Sequence, residues 1–186
     1  RAIYSKYDHE VYIAIRELSD IKEDPRSSTS EISKAEDQLK HLIDNIPFIS
    51  EAAYLARLNW WTVEYGLVGE INDPKIFGAG LLSSVGESYN AIYQNVKKIP
   101  LSLDCINYSY DITEQQPQLF VATNFNHLSE VLKELTEEMA FNKGGLSSIK
   151  KAIDSQSVCT FKLDNGLQIS GIPTDFIGES KEDFFK

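Results

Sequence analysis

The chain has 186 residues, 42% hydrophobic and 25% charged, and its 18 Lys and Arg against 28 Asp and Glu give a formal net charge of -10. That balance fits one large globular domain, or one domain with an appendage, and argues against a nucleic-acid partner, because phosphate binding needs clustered cations. No apolar run approaches the roughly 20 residues that cross a bilayer, and no secretory signal precedes the first helical pattern, so a soluble protein without a membrane partner is expected. Cys105 and Cys159 are the only cysteines and lie far apart, which points to a reducing cytoplasm and not to a disulfide scaffold. The chain opens at Arg1 directly into a helical pattern, which we read as a piece of a longer polypeptide.

Tyr4, Tyr7, Val11, Ala14, Ile15 and Leu18 recur at helical spacing and predict a first helix. The Pro- and Ser-rich run Lys22–Ser30 ends it as a loop. Ser28 with Glu31, or Ser33 with Glu36, makes a capping-box pattern for a second helix whose stripe is Ile32, Ala35, Leu39, Leu42 and Ile43. Ser50 then reads as the N-cap of a central helix carrying Leu55, Leu58, Trp61 and Glu64, which stops near Gly66 or Gly69. After a turn at Asn72-Asp73-Pro74, Ser84 and Glu87 form another capping-box pattern for a helix that Pro100 closes. Residues 105–123 lack a helical period and suit short strands or an extended segment. A last strong helix, with Asn126 as a candidate cap, follows and is ended by Gly144-Gly145. Two alternating runs around Asp164-Asn165-Gly166 then predict a β-hairpin. The expected fold class is mainly α (α+β), with residues 1–142 as one helical part and 143–186 as a C-terminal β-rich extension.

Glu64 is the most telling residue. At helical spacing its neighbours are Trp60, Trp61, Leu67 and Val68, so its carboxylate is expected on an apolar, buried face. An unpaired buried charge is too costly to persist, and Arg57, roughly 10 Å along the helix axis, is awkwardly placed to neutralise it. A metal ion answers that need. An Arg or Lys from another segment answers it too, and a wet helix end at Gly66 removes it. Gly78-Ala79-Gly80 lacks the Lys-Ser/Thr ending and the preceding strand of a phosphate loop, and reads as a tight turn of closely approaching backbone.

Three blocks then stand in order: Trp60-Trp61-Thr62-Val63-Glu64-Tyr65-Gly66-Leu67, Phe77-Gly78-Ala79-Gly80-Leu81-Leu82-Ser83-Ser84-Val85-Gly86-Glu87, and Tyr110-Asp111-Ile112-Thr113-Glu114-Gln115-Gln116-Pro117-Gln118-Leu119-Phe120-Val121-Ala122. Together, over roughly residues 50 to 140, they resemble the pterin-dependent aromatic amino acid hydroxylases, particularly the bacterial phenylalanine-using members. The resemblance implies a monooxygenase that uses Fe(II), a tetrahydropterin and O2 on an aromatic amino acid. It implies Glu64 as an iron ligand, Trp60 and Tyr65 against the substrate ring, and Gly80 and Ser83 along the amino acid end, with Ser83 beside the iron ligands. Ile112, aliphatic where tyrosine-using members tend to be acidic, leans toward phenylalanine. Asn59 departs from the tyrosine of the better-known animal members, near the pterin.

In that family two histidines, five residues apart, complete a facial set with the glutamate. The histidines here are His9, His41 and His127, at no such spacing, and each reads as solvated. No catalytic residue is therefore assigned, and the chain alone is expected to bind no cofactor and to be inactive. The alternative is a non-catalytic acidic helical interaction module related to the hydroxylases.

Overall fold

In the computed structural model, residues 1–93, 96–108, 110 and 115–177 are described. By contacts the chain divides into two compact units, residues 1–53 with 143–186, and residues 54–142. Residues 143–186 cluster with the first 53 residues.

In the first unit, α1 (Lys6–Glu23) begins at a capping box: the Ser5 hydroxyl accepts the Asp8 N–H at 3.1 Å and Asp8 accepts the Ser5 N–H at 2.7 Å. For α2 (Thr29–Asp44) the box is Ser28 with Glu31. Of the two candidate boxes this is the one formed, and it satisfies N–H groups that have no acceptor within the helix. The α2 stripe is only half-buried, and Ile43 is exposed. Ser50 caps α3 (Glu51–Asn59) as expected, accepting the Ala53 N–H at 2.9 Å.

The C-terminal stretch is not simply β-rich. Gly144 and Gly145 have positive φ, 61° and 68°, and Gly144 is the N-cap of α8 (Gly145–Ser155). The glycine pair starts a helix there as well as following one. The 11 residues of α8 carry an apolar face, Ile149 and Ala152. Glu51 secures this helix to the start of the chain: one carboxylate oxygen accepts the Ile3 N–H at 3.1 Å, the other pairs with Lys151 Nζ at 3.0 Å. Glu51 is buried, so the ion pair and hydrogen bond are what make its burial tolerable. The expected hairpin follows as β5 (Cys159–Lys162) antiparallel to β6 (Gln168–Gly171), with Gly166 at φ 86° in its turn.

The second unit is built on a four-stranded sheet of order β2-β1-β4-β3. The hairpin β1 (Leu67–Glu70) and β2 (Asp73–Ile76) is antiparallel. Strand β4 (Gln118–Ala122) runs parallel to both β1 and β3 (Lys97–Pro100). Side chains of β4 alternate. Leu119 and Val121 join Leu67, Leu81 and Ala91 in a core against α4 (Ala79–Ser83) and α5 (Val85–Tyr93), while Phe120 meets Trp61 at 5.2 Å and Tyr108 at 5.2 Å between ring centroids. The unit closes with α6 (Phe125–Glu137) and starts α7 (Ala140–Lys143). The cap of α6 is Asn124, which accepts the His127 N–H at 3.0 Å, two residues earlier than the expected Asn126. The fold is mainly α with small sheets, and among the described residues no helix is long and apolar enough to cross a membrane.

Cys105 lies in a 3-10 turn, Leu103–Asn107, and is fully buried. Burial first, and the charge of Asp104 second, push its thiol up to about 12. Since the thiolate is the nucleophile, a thiol reagent at pH 8 is expected to modify Cys159 in the native chain and Cys105 only after denaturation. Mass spectrometry of the peptides labelled first would read this directly, and early labelling of Cys105 would contradict the packing described.

Candidate functional site

The central helix does not continue to Gly66. After Asn59 it widens into a π-helical turn, Trp60–Glu64, in which the Tyr65 N–H donates to the Trp60 carbonyl at 2.8 Å, five residues back. The Thr62 hydroxyl donates to the Leu58 carbonyl at 2.6 Å, occupying the acceptor that an α-helical Thr62 N–H would use, which is one way a ladder is opened. The extra residue decides the geometry. In an α-helix residues five apart point about 140° away from each other; here Trp60 and Tyr65 stack at 4.8 Å with 29° between planes. Tyr110 stacks on Trp60 as well, at 4.5 Å and 23°. The result is a layered aromatic wall, Tyr65, Trp60 and Tyr110, all half-buried.

The same turn corrects one expectation. Trp61 goes wholly into the core, but Glu64 lies at the core's margin, half-buried. Widening the helix rotates its end, so the carboxylate is not sealed under apolar side chains and no cation is required to keep it folded. None of the ion pairs among the described residues uses Glu64. Arg57, the one cation on its helix, donates instead to the Ile106 carbonyl at 3.1 Å.

The glycine block abuts Glu64. Gly66 receives two backbone donors, Phe77 N–H at 3.3 Å and Gly78 N–H at 3.1 Å, which bring the chain back from β2 onto the π turn. A Cβ on Gly78 would sit 2.5 Å from the Glu64 carbonyl oxygen and 2.6 Å from the Gly66 nitrogen; on Gly80 it would sit 2.8 Å from Glu64 Oε1 and 2.9 Å from Tyr65 Cζ. The glycines are thus required by close approach, as the sequence indicates, and Gly80 is the floor on which the Glu64 carboxylate rests. Ser83 is exposed and its hydroxyl donates to the Gly80 carbonyl at 3.1 Å. Of the expected site residues, Glu64, Tyr65 and Gly80 meet directly, Trp60 joins them through Tyr65, and Ser83 is linked through Gly80. Ile112 lies outside the described residues.

Two residues not expected at the site belong to it. Glu87 at the start of α5 is buried, 8% exposed. Its Oε1 accepts the Gln116 N–H at 3.2 Å, while Oε2 has no partner among the described residues. Burial raises the Glu87 carboxyl above the ordinary glutamate range, partly countered by that N–H. Tyr65 is raised too, by burial first and then by the charges of Glu87 and Glu64. Gln116 in turn accepts the Trp60 indole N–H on Oε1 at 3.1 Å. In the sequence Glu87 and Gln116 stand inside the blocks that carry the family resemblance, but Glu87 is otherwise read as the third residue of a capping box and Gln116 is given no role.

Chemically, the site offers one accessible carboxylate beside a stacked aromatic wall. That suits one oxygen donor to a metal and a flat apolar surface for a ring. Among the described residues no group of three or more His, Cys, Asp and Glu comes together.

The family described as biopterin-dependent aromatic amino acid hydroxylase matches residues 49–144. Phenylalanine-4-hydroxylase from Homo sapiens is 40% identical over 80 residues, 42% of this chain and 18% of that protein. The Vibrio cholerae phenylalanine-4-hydroxylase is 39% identical over 83 residues, 44% of this chain and 29% of its own length. The chain thus spans less than a third of either relative. Among solved structures, the apo cold-active phenylalanine hydroxylase from Colwellia psychrerythraea 34H is 28% identical with a TM-score of 0.44, covering 60% of this chain and 45% of that one.

Proposed function

The chain belongs to the biopterin-dependent aromatic amino acid hydroxylases, and from that premise we propose that it is the glutamate-bearing portion of an Fe(II)- and tetrahydropterin-dependent monooxygenase that converts phenylalanine to tyrosine with O2. The observation that carries this reading is the placement of Glu64: an accessible carboxylate, without an ion-pair partner among the described residues, set on Gly80 and next to the Tyr65–Trp60 stack. Glu64 would hold the iron through its carboxylate. The two imidazoles that a facial set needs come from outside these 186 residues, since His9, His41 and His127 have no five-residue spacing.

Bound iron and pterin supply the activation of O2. The residues of this chain bind and orient. Trp60, the middle ring of the stack, offers its edge and Tyr65 its ring to the substrate's ring, since aromatic pairs favour offset-stacked or edge contacts. Gly80 leaves the room that the carboxylate occupies, and Ser83 holds the Gly80 carbonyl from the solvent side. The wall also keeps water from one side of the reacting ring.

The test is made in the complete reading frame that contains this chain. Phenylalanine hydroxylation dependent on added Fe(II) and tetrahydropterin is expected. Glu64→Ala should abolish it, with helical content unchanged by circular dichroism. Coupled hydroxylation that survives Glu64→Ala would refute the assignment.

A further inference from the structure

At the start of α5 the Ser84 hydroxyl accepts the Glu87 N–H at 3.3 Å, which is half of a capping box. The other half would have the Glu87 carboxylate return to the Ser84 N–H, at the surface and at no desolvation cost. Glu87 forgoes it. Its carboxylate is turned inward, more than nine-tenths buried, and reaches the backbone N–H of Gln116, 29 residues away, leaving Oε2 without a partner among the described residues. A buried carboxylate with an orphaned oxygen costs stability, and local rules broken at such a cost concentrate at functional positions.

The connection runs onward without a gap. Gln116, itself 2% exposed, is a loop residue just ahead of β4, and the Glu87 hydrogen bond fixes its backbone. Its side-chain Oε1 then holds the Trp60 indole N–H, and Trp60 is the middle ring of the aromatic wall. Stacking leaves a ring free to slide and tilt in its plane. An in-plane hydrogen bond from the indole nitrogen removes that freedom.

We propose that Glu87 is a positioning residue for the aromatic wall, acting through Gln116 to fix the orientation of Trp60, and thereby sets the fit of the substrate ring. The substrate part of this inference rests on the function proposed above; the part concerning Trp60 does not. Glu87 touches no substrate in this arrangement.

The chain has two tryptophans, so its 1H–15N spectrum contains two indole N–H signals, assigned by Trp61→Phe. Glu87→Leu should shift the Trp60 signal and speed its exchange with solvent while leaving Trp61 in place. Glu87→Gln retains an acceptor oxygen and should restore the wild-type Trp60 signal. Gln116→Ala should reproduce the Glu87→Leu change, and the double variant should add little to either. In the complete enzyme Glu87→Leu should raise the KM for phenylalanine about tenfold, with kcat changed much less. An unmoved Trp60 signal in Glu87→Leu, or equal movement of Trp60 and Trp61, would overturn the proposal. If Glu87→Leu does not fold, the Glu87→Gln and Gln116→Ala spectra decide: a displaced Trp60 signal in the first, or an unmoved one in the second, overturns it. If the wild-type enzyme fails to hydroxylate phenylalanine, the proposed function falls, and the indole signals still judge the relay.

Discussion

Gly78→Ala is expected to destabilise the 54–142 unit by about 3 kcal/mol, at the upper end of what overpacking costs. Gly78 has an ordinary backbone conformation, φ -62° and ψ 135°, so the penalty does not come from strain. It comes from the neighbours. The new methyl would meet the Glu64 carbonyl carbon at 2.8 Å and its oxygen at 2.5 Å, with the Gly66 nitrogen at 2.6 Å, and backbone atoms have nowhere to go. Gly80→Ala should behave differently. Two of the atoms a methyl would meet there, Glu64 Oε1 and Tyr65 Cζ, are the far ends of side chains, so the fold gives way at roughly 1 kcal/mol and the carboxylate is displaced. Urea denaturation of the two variants separates these effects. Equal destabilisation would mean that Gly80 is a packing glycine with no particular relation to Glu64.

Trp61→Ala should cost about 3–5 kcal/mol, the range for truncating a large buried aromatic. Trp61 is fully buried between Phe120, at 5.2 Å, and Tyr110, edge-on at 6.2 Å, and these rings cannot collapse into the space it leaves. Trp61→Phe should be far milder. The Trp61 indole nitrogen is buried without a partner among the described residues, and losing an unsatisfied donor returns part of the lost packing energy. Trp60 fluorescence during denaturation reports both. A cost for Trp61→Ala below about 1 kcal/mol would show that this region relaxes freely, and the wall built against it would lose its rigid support.

Much of this was legible in the sequence. Helix α1 announces itself by period and α2 by period and cap, and the Asn165-Gly166 turn fixes the hairpin, because these signals are local. The approach of the glycine block to Glu64 was implied by the family resemblance. What could not be read depends on partners distant in the chain. Strands β1 and β3 are four residues long and pair in parallel with β4 across connections of many residues, too short for an alternating pattern to register, whereas β4 lies in the 105–123 run expected to hold short strands. The π turn has no sequence signature, yet it places Trp60 on Tyr65 and leaves Glu64 at the margin. Glu87 misled for a physical reason: a glutamate three residues after a serine has a local use, and only the tertiary fold shows that this one is used elsewhere.

The central claim, that Glu64 supplies one of three iron ligands, is tested most directly by anaerobic calorimetric titration with Fe(II). The complete reading frame should bind one iron at micromolar or tighter affinity, and Glu64→Gln should weaken that binding by at least tenfold, since an amide is a poorer donor than a carboxylate. The 186-residue chain by itself should show no such site. Stoichiometric micromolar binding by the chain alone, or an unchanged affinity in Glu64→Gln, would contradict the account.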